Sequence, residues 1–431
     1  MAALNGSRET TLGKCADWLS GGTPRKSRDD FWGGDFPWAS AKDMKVFRLY
    51  DTEDHITQLA IDEGARVAPE GAILILVRGM TLHNDVPLCV TMREMAFNQD
   101  VRAIVPKEGT DLNYLAYWLL AKKPMLLGLV DSAGHGTGRF HTDVLKALEI
   151  SLPPLPEQRA IASILGALDD KIELNRRMNA TLESLARAIF KSWFVDFDPV
   201  HANAIRQNAG KTGAGQMPAS SAIPTTHDPK VFDLFPSTFQ DSELGPIPEG
   251  WGPIKLESIL ELAYGKALKK SDRIAGRYPV YGSGGLTGSH NESLVDGPGV
   301  IVGRKGSVGT LYWEDSAFYP IDTVFYVKPH DGYSLQYIFY LLQTLGLDDM
   351  NTDAAVPGLN RNNAYRLEIP SASQDAMDEF TTVAVAIREQ IAGNIADTDA
   401  LATIRDEILP QLLSGELPVP ESLTANEEVL A

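Results

Sequence analysis

The sequence predicts an α/β (or α+β) fold: two α/β units are separated by two long helices that form an antiparallel coiled coil. Two observations support this prediction. A globular segment followed by a long helix occurs twice, at an offset of roughly 219 residues, and apolar residues in both helices recur at heptad spacing. A repeat of such long period predicts two copies of one structural unit, here related by a pseudo-two-fold axis.

Each predicted unit contains a short apolar run bounded by glycines, at residues 72–77 and 299–303. This length and these flanks are typical of a buried strand. A tyrosine-containing amphipathic stretch follows in each unit, at residues 112–120 and 335–342, and predicts a helix. Residues 32–38, rich in glycine and aromatic side chains, are expected to form an ordered loop.

Residues 200–245 are rich in Ala, Gly, Ser, Thr and Pro and lack sustained periodicity, which predicts a connector in which residues 232–239 dock locally. The features together divide the chain into six segments. Their predicted bounds are a first α/β unit (1–155), a central helix (156–198), a flexible connector (199–244), a second α/β unit (245–370), a distal helix (371–415) and an acidic disordered tail (416–431).

The central helix is expected to begin at Pro156 and Glu157, because proline and a carboxylate both suit a first helical turn. Pro410 should kink or end the distal helix. The positions predicted to pair the helices are Ile161, Leu168, Ile172, Asn175, Leu182 and Ile189 in the central helix, and Ile387, Ile391, Asn394, Leu401 and Ile408 in the distal one. The alternative is that each helix packs separately on its own unit.

An antiparallel pair is favoured because the central helix leads into the second unit and the distal helix starts from it. A helix of roughly 35 residues spans ~50 Å, so we expect the two units to lie at opposite ends of the pair. Asn175 and Asn394 fall near the middle of their helices. A buried asparagine pair there would fix register and orientation.

The formal net charge of −18 argues at first against a nucleic-acid partner. Residues 371–431 hold 2 basic and 12 acidic side chains, however, and so supply 10 of the 18 net negative charges. The globular units are therefore near neutral and leave room for a basic face. The chain has no apolar run long enough for a membrane span and no apolar signal region, which predicts a cytoplasmic protein without a membrane partner.

The motifs of several enzyme classes are missing. The sequence has no P-loop, no His-Glu-x-x-His, no Cys-x-x-Cys and no Asp/Asn-Pro-Pro-aromatic signature of an amino-group methyltransferase. We therefore expect no catalytic residues, no metal site and no cofactor held by this chain.

Basic side chains beside glycines and aromatic residues recur in both units, a combination suited to phosphate and base contacts. The alternative is that these charges form an ordinary solvated surface without a ligand. The candidates for DNA binding are Arg25, Lys26, Arg28 and Arg139 in the first unit, and Lys266, Lys269, Lys270, Arg273, Arg304 and Lys305 in the second.

Several segments together resemble the specificity subunit of type I restriction-modification enzymes, and the resemblance covers nearly the whole chain. The segments that carry it are residues 21–24, 32–38, 152–158, 191–199, 243–251, 281–285 and 303–306. The distal helix departs from the pattern: it lacks the Pro-Leu-x-Glu-Gln opening and begins Ser371-Ala372-Ser373-Gln374-Asp375.

The resemblance implies that both α/β units are target-recognition domains, each reading one half of a bipartite, asymmetric DNA sequence, and that the helices set the spacing. It implies double-stranded DNA, two modification (methyltransferase) subunits and restriction (endonuclease/translocase) subunits as partners. S-adenosylmethionine, ATP and Mg would belong to those partners. The rival interpretations are a stand-alone DNA-binding regulator on the same scaffold, and a catalytic DNA methyltransferase or nuclease.

Overall fold

The computed structural model describes residues 6–133, 137–212, 229–350 and 358–424. The chain forms two compact units. Unit 1 comprises Met1–Leu174 together with Asp397–Ala431, and unit 2 comprises Asn175–Ala396. Each unit therefore contains a segment of both long helices, a division that differs from the predicted segments.

Unit 1 contains fourteen strands among its described residues. They are β1 (Arg8–Thr11), β2 (Ala16–Ser20), β3 (Trp32–Ala39), β4 (Arg48–Leu49), β5 (His55–Ile56), β6 (Val67–Ala68), β7 (Ile73–Leu76), β8 (Arg78–Gly79), β9 (Leu88–Thr91), β10 (Met95–Phe97), β11 (Val101–Pro106), β12 (Asp131–Ala133), β13 (Thr137–Arg139) and β14 (Glu149–Leu152). Its short helices are α1 (Leu12–Cys15), α2 (Gln58–Asp62), α3 (Leu112–Ala121), α4 (Lys123–Leu127) and α5 (Thr142–Lys146).

The long helix α6 (Leu155–Phe194) passes from unit 1 into unit 2. Unit 2 then adds α7 (Asp198–Thr212), α8 (Pro229–Phe232), α9 (Leu335–Leu342) and α10 (Arg361–Tyr365). The second long helix, α11 (Gln374–Ser414), starts in unit 2 and ends in unit 1, where α12 (Glu421–Thr424) follows. The strands of unit 2 are β15 (Phe239–Ser242), β16 (Gly245–Pro248), β17 (Gly252–Lys255), β18 (Leu260–Tyr264), β19 (Tyr278–Gly282), β20 (Gly285–His290), β21 (Gly299–Gly303), β22 (Leu311–Glu314), β23 (Tyr319–Pro320), β24 (Val324–Pro329) and β25 (Glu368–Ser371).

The central sheet of unit 1 has the order β2-β11-β7-β9-β4, and that of unit 2 has the order β18-β24-β21-β22. The predicted apolar strands form β7 and β21, in which every residue is buried. The antiparallel trio β2-β11-β7 matches β18-β24-β21 strand for strand. Helices α3 and α9 follow equivalent strands and have equivalent caps, since Asp111 accepts a hydrogen bond from the Tyr114 N–H and Ser334 accepts one from the Tyr337 N–H.

In each unit, α6 and α11 pack against each other and run antiparallel. In unit 1, Arg405 of α11 reaches Asp169 of α6, whereas in unit 2 the earlier residue Arg388 reaches the later residue Glu183. The two-unit α/β fold with paired long helices is therefore confirmed. The eleven predicted pairing positions are all buried or half-buried.

Asn175 and Asn394 meet in the helix seam of unit 2. The side-chain amide of Asn175 donates to the Asn394 carbonyl oxygen at 3.4 Å, and the Asn394 amide donates to Oδ1 of Asn179 at 2.8 Å. Gln390 donates to Oδ1 of Asn394 at 3.1 Å. The polar centre of the seam thus involves four side chains instead of the predicted two.

The predicted flexible connector is wrong for its described parts. Helix α7 occupies residues 198–212, and Asn203 donates to the carbonyl oxygens of Phe232 and Phe235 at 2.7 and 2.9 Å. Val200 and Phe235 are buried in the main apolar core of unit 2. Tertiary packing orders a segment that has little helical periodicity of its own; residues 213–228 lie outside the described residues.

Three smaller predictions also change. Residues 32–38 lie in strand β3 because β5 and β10 pair with it. The distal helix continues through Pro410 to Ser414, since the flanking Leu409 and Leu412 are buried in the core of unit 1. The predicted disordered tail contains α12, and residues 425–431 lie outside the described part.

Candidate nucleic-acid interface

One end of the central sheet carries a group of exposed cations in both units. In unit 1, Arg102 at the start of β11 pairs with Ser20 at the end of β2 and with Ile75 near the end of β7. In unit 2, Phe325 pairs in the same way with Tyr264 and Val302. The loops joined to these three strands at this end therefore lie side by side. We call this end of the sheet the cationic sheet end.

In each unit a glycine lets the segment after the first central strand, β2 or β18, lie close to the sheet. A Cβ atom on Gly21 would lie 2.1 Å from the Asn98 carbonyl oxygen, and one on Gly265 would lie 2.1 Å from that of Ile321. The next residue donates to equivalent carbonyl oxygens, from Gly22 to Phe97 at 2.8 Å and from Lys266 to Pro320 at 3.0 Å. The same close approach thus fixes the loop that carries Arg25 and Lys26 in unit 1 and the loop that carries Lys269 and Lys270 in unit 2.

The Arg25 loop is fastened by two tryptophans. Nε1 of Trp38 donates to the Gly22 carbonyl oxygen at 3.1 Å, and Nε1 of Trp32 donates to that of Arg25 at 3.4 Å. The side chains of Arg25 and Lys26 remain exposed. This arrangement fixes the backbone and leaves the charges available to a ligand.

Arg139 lies beside a second arginine that sequence reasoning missed. Arg78 of β8 and Arg139 of β13 are directly opposite each other in antiparallel strands, and both are exposed. Side chains in such pairs lie about 5 Å apart at Cβ, and like charges in this position destabilise a sheet. An anionic ligand would relieve the repulsion. Asp131, opposite Arg139 on its other side, pairs with His141 at 3.5 Å.

Lys305 occupies the position in unit 2 that Arg78 has in unit 1. The Arg304 N–H donates to the Thr323 carbonyl oxygen at 2.9 Å, as the Val77 N–H donates to that of Asp100 at 2.8 Å. The residue after each donor is the exposed cation, and Lys305 forms a β-bridge with Gly358 as Arg78 pairs with Arg139. Arg78 and Lys305 thus occupy equivalent positions in the two units. Because Lys305 was already a candidate, the internal repeat was a sequence signal that could have identified Arg78.

Three of the ten predicted DNA-binding side chains are committed to contacts within the protein. Arg28 donates to both carboxylate oxygens of Asp30, at 2.7 and 2.6 Å, and these hydrogen bonds to Asp30 raise the pKa of the Arg28 guanidinium. Arg273 donates to the Thr287 carbonyl oxygen at 2.7 Å and is half-buried. These two are positioned to hold loops. The third, Arg304, donates to the Asp322 carbonyl oxygen at 2.9 Å.

The other seven candidates are exposed, and none forms an ion pair within the described part of the chain. They are Arg25, Lys26, Arg139, Lys266, Lys269, Lys270 and Lys305.

Tyr264 adds an aromatic surface to the cationic sheet end of unit 2. Its side chain is half-exposed, and the guanidinium carbons of Arg304 and Arg361 lie 4.9 and 4.8 Å from its ring centroid. Both distances suit cation–π contacts. Arg361 lies 97 positions after Tyr264, so no local sequence pattern indicates this contact. Exposed π and guanidinium faces together are suited to nucleobases and phosphates.

Two negative findings concern the described residues only. Within them, no set of three or more His, Cys, Asp or Glu side chains is arranged to hold a metal ion. No helix among them has the length and apolar character required to cross a bilayer.

A family model described as the type I restriction modification DNA specificity domain matches residues 7–184 and 248–378. The MjaIX specificity subunit of Methanocaldococcus jannaschii is 34% identical over 209 residues, which cover 44% of this chain and 47% of that protein. The HindI specificity subunit of Haemophilus influenzae is 25% identical over 327 residues, or 64% of this chain and 70% of that protein. The alignment thus spans less than half of the first relative and about two thirds of the second.

The fold is similar to that of a solved type I restriction-modification S subunit from M. genitalium. The TM-score is 0.52 at 17% identity, and the match covers 96% of this chain and 99% of the other. At this identity the likeness concerns the fold alone.

Proposed function

Because this chain belongs to the type I restriction-modification DNA specificity family, we propose that it is the specificity subunit of such an enzyme. In this role it performs no chemistry. It binds a bipartite, asymmetric double-stranded DNA target, with one unit on each half, and recruits modification and restriction subunits that supply S-adenosylmethionine, ATP and Mg chemistry. Such a complex would work in the cytoplasm.

The observation that carries the proposal is the repetition of the cationic sheet end on a duplicated framework. Unit 1 presents Arg25, Lys26, Arg78 and Arg139 there, and unit 2 presents a different set centred on Lys269, Lys270 and Lys305. Lysine and arginine contacts to phosphates position a protein on DNA, whereas contacts to base edges specify sequence. Two units with the same backbone framework but different surface side chains suit a DNA target whose two halves differ in sequence.

The interface is tested by the salt dependence of DNA binding. The chain is purified with its co-expressed methyltransferase, and its target is taken from sequencing of methylated adenines in cells with and without the chain. Each phosphate contact makes the slope of log affinity against log salt more negative by roughly 0.9. We expect the substitutions R78A and R139A together, or K269A and K270A together, to make that slope less negative by about one to two.

Matched controls lie at the opposite end of the same central strands. Lys107 follows β11 and pairs with Asp17 at 3.0 Å, and Lys328 of β24 pairs with Glu261 at 3.6 Å. The substitutions K107A and K328A should leave the slope unchanged. A slope that stays constant in R78A/R139A and in K269A/K270A would place the DNA elsewhere. A chain that binds its target tightly but never co-purifies with a methyltransferase would instead support the stand-alone regulator.

A further inference from the structure

In each unit an arginine and a carboxylate pair across the helix seam, and in both pairs the two charges lie on the same respective helices. In unit 1, Nη1 of Arg405 donates to Oδ1 of Asp169 at 2.7 Å. In unit 2, Nη1 of Arg388 donates to Oε2 of Glu183 at 3.3 Å. Both carboxylates lie on α6 and both guanidinium groups lie on α11.

These charges are desolvated and held in place. The side chains of Asp169 and Arg388 are 8% and 12% exposed. Each carboxylate also accepts a hydrogen bond from a tyrosine hydroxyl of its own unit, from Tyr117 to Asp169 at 2.6 Å and from Tyr340 to Glu183 at 3.2 Å. The two tyrosine contacts would keep Asp169 and Glu183 at the seam even if another helix took the place of α11.

The repeat shows what each charge would face if two like helices paired. Residues 219 apart occupy equivalent positions, as Asn175 and Asn394 do. A second copy of α6 in the place of α11 would therefore bring its Asp169 to the position of Arg388, opposite Glu183. A second copy of α11 in the place of α6 would bring Arg388 opposite Arg405.

Several aliphatic positions of the seam are alike in the two helices. They match at the same offset, as Leu168 matches Ile387 and Ile172 matches Ile391. Both helices also carry an asparagine at the centre. These matched positions alone would accept either pairing. The segregated charges differ, because they match only when α6 meets α11.

We propose that this charge segregation selects the pairing of unlike helices, so that the chain closes on its own two helices instead of exchanging them with a second copy. Like charges brought together across a desolvated contact are strongly unfavourable, which is a common source of specificity. The proposal goes beyond DNA recognition and does not depend on it.

A double substitution, E183R with R388E, removes the discrimination while it keeps both internal ion pairs. Helix α6 then carries one charge of each sign, as does α11, and pairs of like helices become complementary. The full chain is refolded from denaturant at increasing protein concentration, and the dimer fraction is measured by light scattering after size exclusion. We expect the unsubstituted chain to refold as a monomer and the double variant to show roughly a tenfold higher dimer fraction.

The quadruple variant D169R/E183R/R388E/R405E is the matched control, because it reverses every charge but keeps the segregation. It should remain monomeric. The proposal is overturned if the double variant dimerises no more than the unsubstituted chain, or if the quadruple variant dimerises equally. Should the reversed charges prevent folding, E183Q/R388Q supplies the test: neutral amides remove the repulsion, and an unchanged dimer fraction would contradict the proposal.

Discussion

The two units share a framework and differ in what that framework presents. The N–H of Leu12 donates to the Leu148 carbonyl oxygen at 2.9 Å, and the N–H of Leu256 donates to that of Leu367 at 2.8 Å. The central strands, the helix caps and the loop glycines correspond in the same way. At the cationic sheet end, by contrast, unit 1 places two arginines on adjacent strands and unit 2 stacks two arginines on Tyr264. The backbone geometry is thus alike in the two units, whereas the charged surface differs.

The starts of the two long helices show the same division between shared geometry and different chemistry. Gln158, which is buried, accepts from the Asp111 N–H at 2.8 Å and donates to the Pro153 carbonyl oxygen at 2.8 Å. The equivalent position in α11 is Met377, which is buried in the apolar core of unit 2. One helix is thus anchored by hydrogen bonds and the other by apolar packing, which accounts for the missing Glu-Gln opening of the distal helix.

The largest expected effect tests whether the two frameworks are equivalent. Gly21→Ala and Gly265→Ala should each destabilise their own unit by about 3 kcal/mol, because the added methyl group would overlap a backbone carbonyl oxygen. Hydrogen exchange should increase in β2 and β11 for the first variant and in β18 and β24 for the second.

Gly22→Ala and Gly284→Ala are the controls for these glycine variants, since a Cβ at either position meets no atom within 4 Å. Both should exchange like the unsubstituted chain. A large effect at Gly21 with none at Gly265 would mean that the loops of the two units are held differently.

A second prediction compares the ion pairs of the helix seam. Asp169→Asn should cost about 2 kcal/mol, because Arg405 then loses its buried partner. Glu183→Gln should cost about 1 kcal/mol, since Glu183 is more exposed and its contacts with Arg388 and Tyr340 are longer. Urea unfolding measures both values, with the exposed Asp397→Asn as control. Equal costs would show that burial and distance do not rank the two pairs.

The elements of the fold that periodicity specifies could be predicted from the sequence. Glycine-bounded apolar runs identified β7 and β21, and the heptad spacing identified the pairing of α6 and α11. The order of units and helices along the chain predicted the antiparallel direction, and the central positions of Asn175 and Asn394 predicted their contact. These features depend on which side chains must be buried, and burial leaves a pattern along the chain.

Features that depend on tertiary contacts could not be predicted. Helix α7 has no strong apolar face, and it is ordered because the Asn203 side chain and Val200 dock on neighbouring segments. Arg28 was a reasonable DNA candidate until the structure placed it on Asp30. Whether a cation faces an internal carboxylate or a ligand is decided by the side chains around it, and the sequence contains no periodicity that reports this.

The smallest expected effect concerns the tyrosines that contact the seam. Burial, and then the Asp169 carboxylate, raise the pKa of Tyr117, and burial, followed by Glu183, raises that of Tyr340 above the usual value of 10.0. A raised pKa means that the folded chain holds the proton more tightly than the unfolded chain. The resulting stability is complete below pH about 10 and is lost as the pH rises further.

Tyr117→Phe and Tyr340→Phe should each lower the free energy of unfolding at neutral pH by about 1 kcal/mol, because a hydroxyl donor to a carboxylate is removed. Each should also make the loss of stability above pH about 10 shallower, by at most the slope that one proton contributes. Urea unfolding between pH about 7 and about 11 measures both effects. Tyr333→Phe, whose tyrosine contacts neither carboxylate, should change neither quantity as much. If the Tyr117 and Tyr340 variants lose stability as steeply as the unsubstituted chain, alkaline unfolding is driven by groups outside the helix seam.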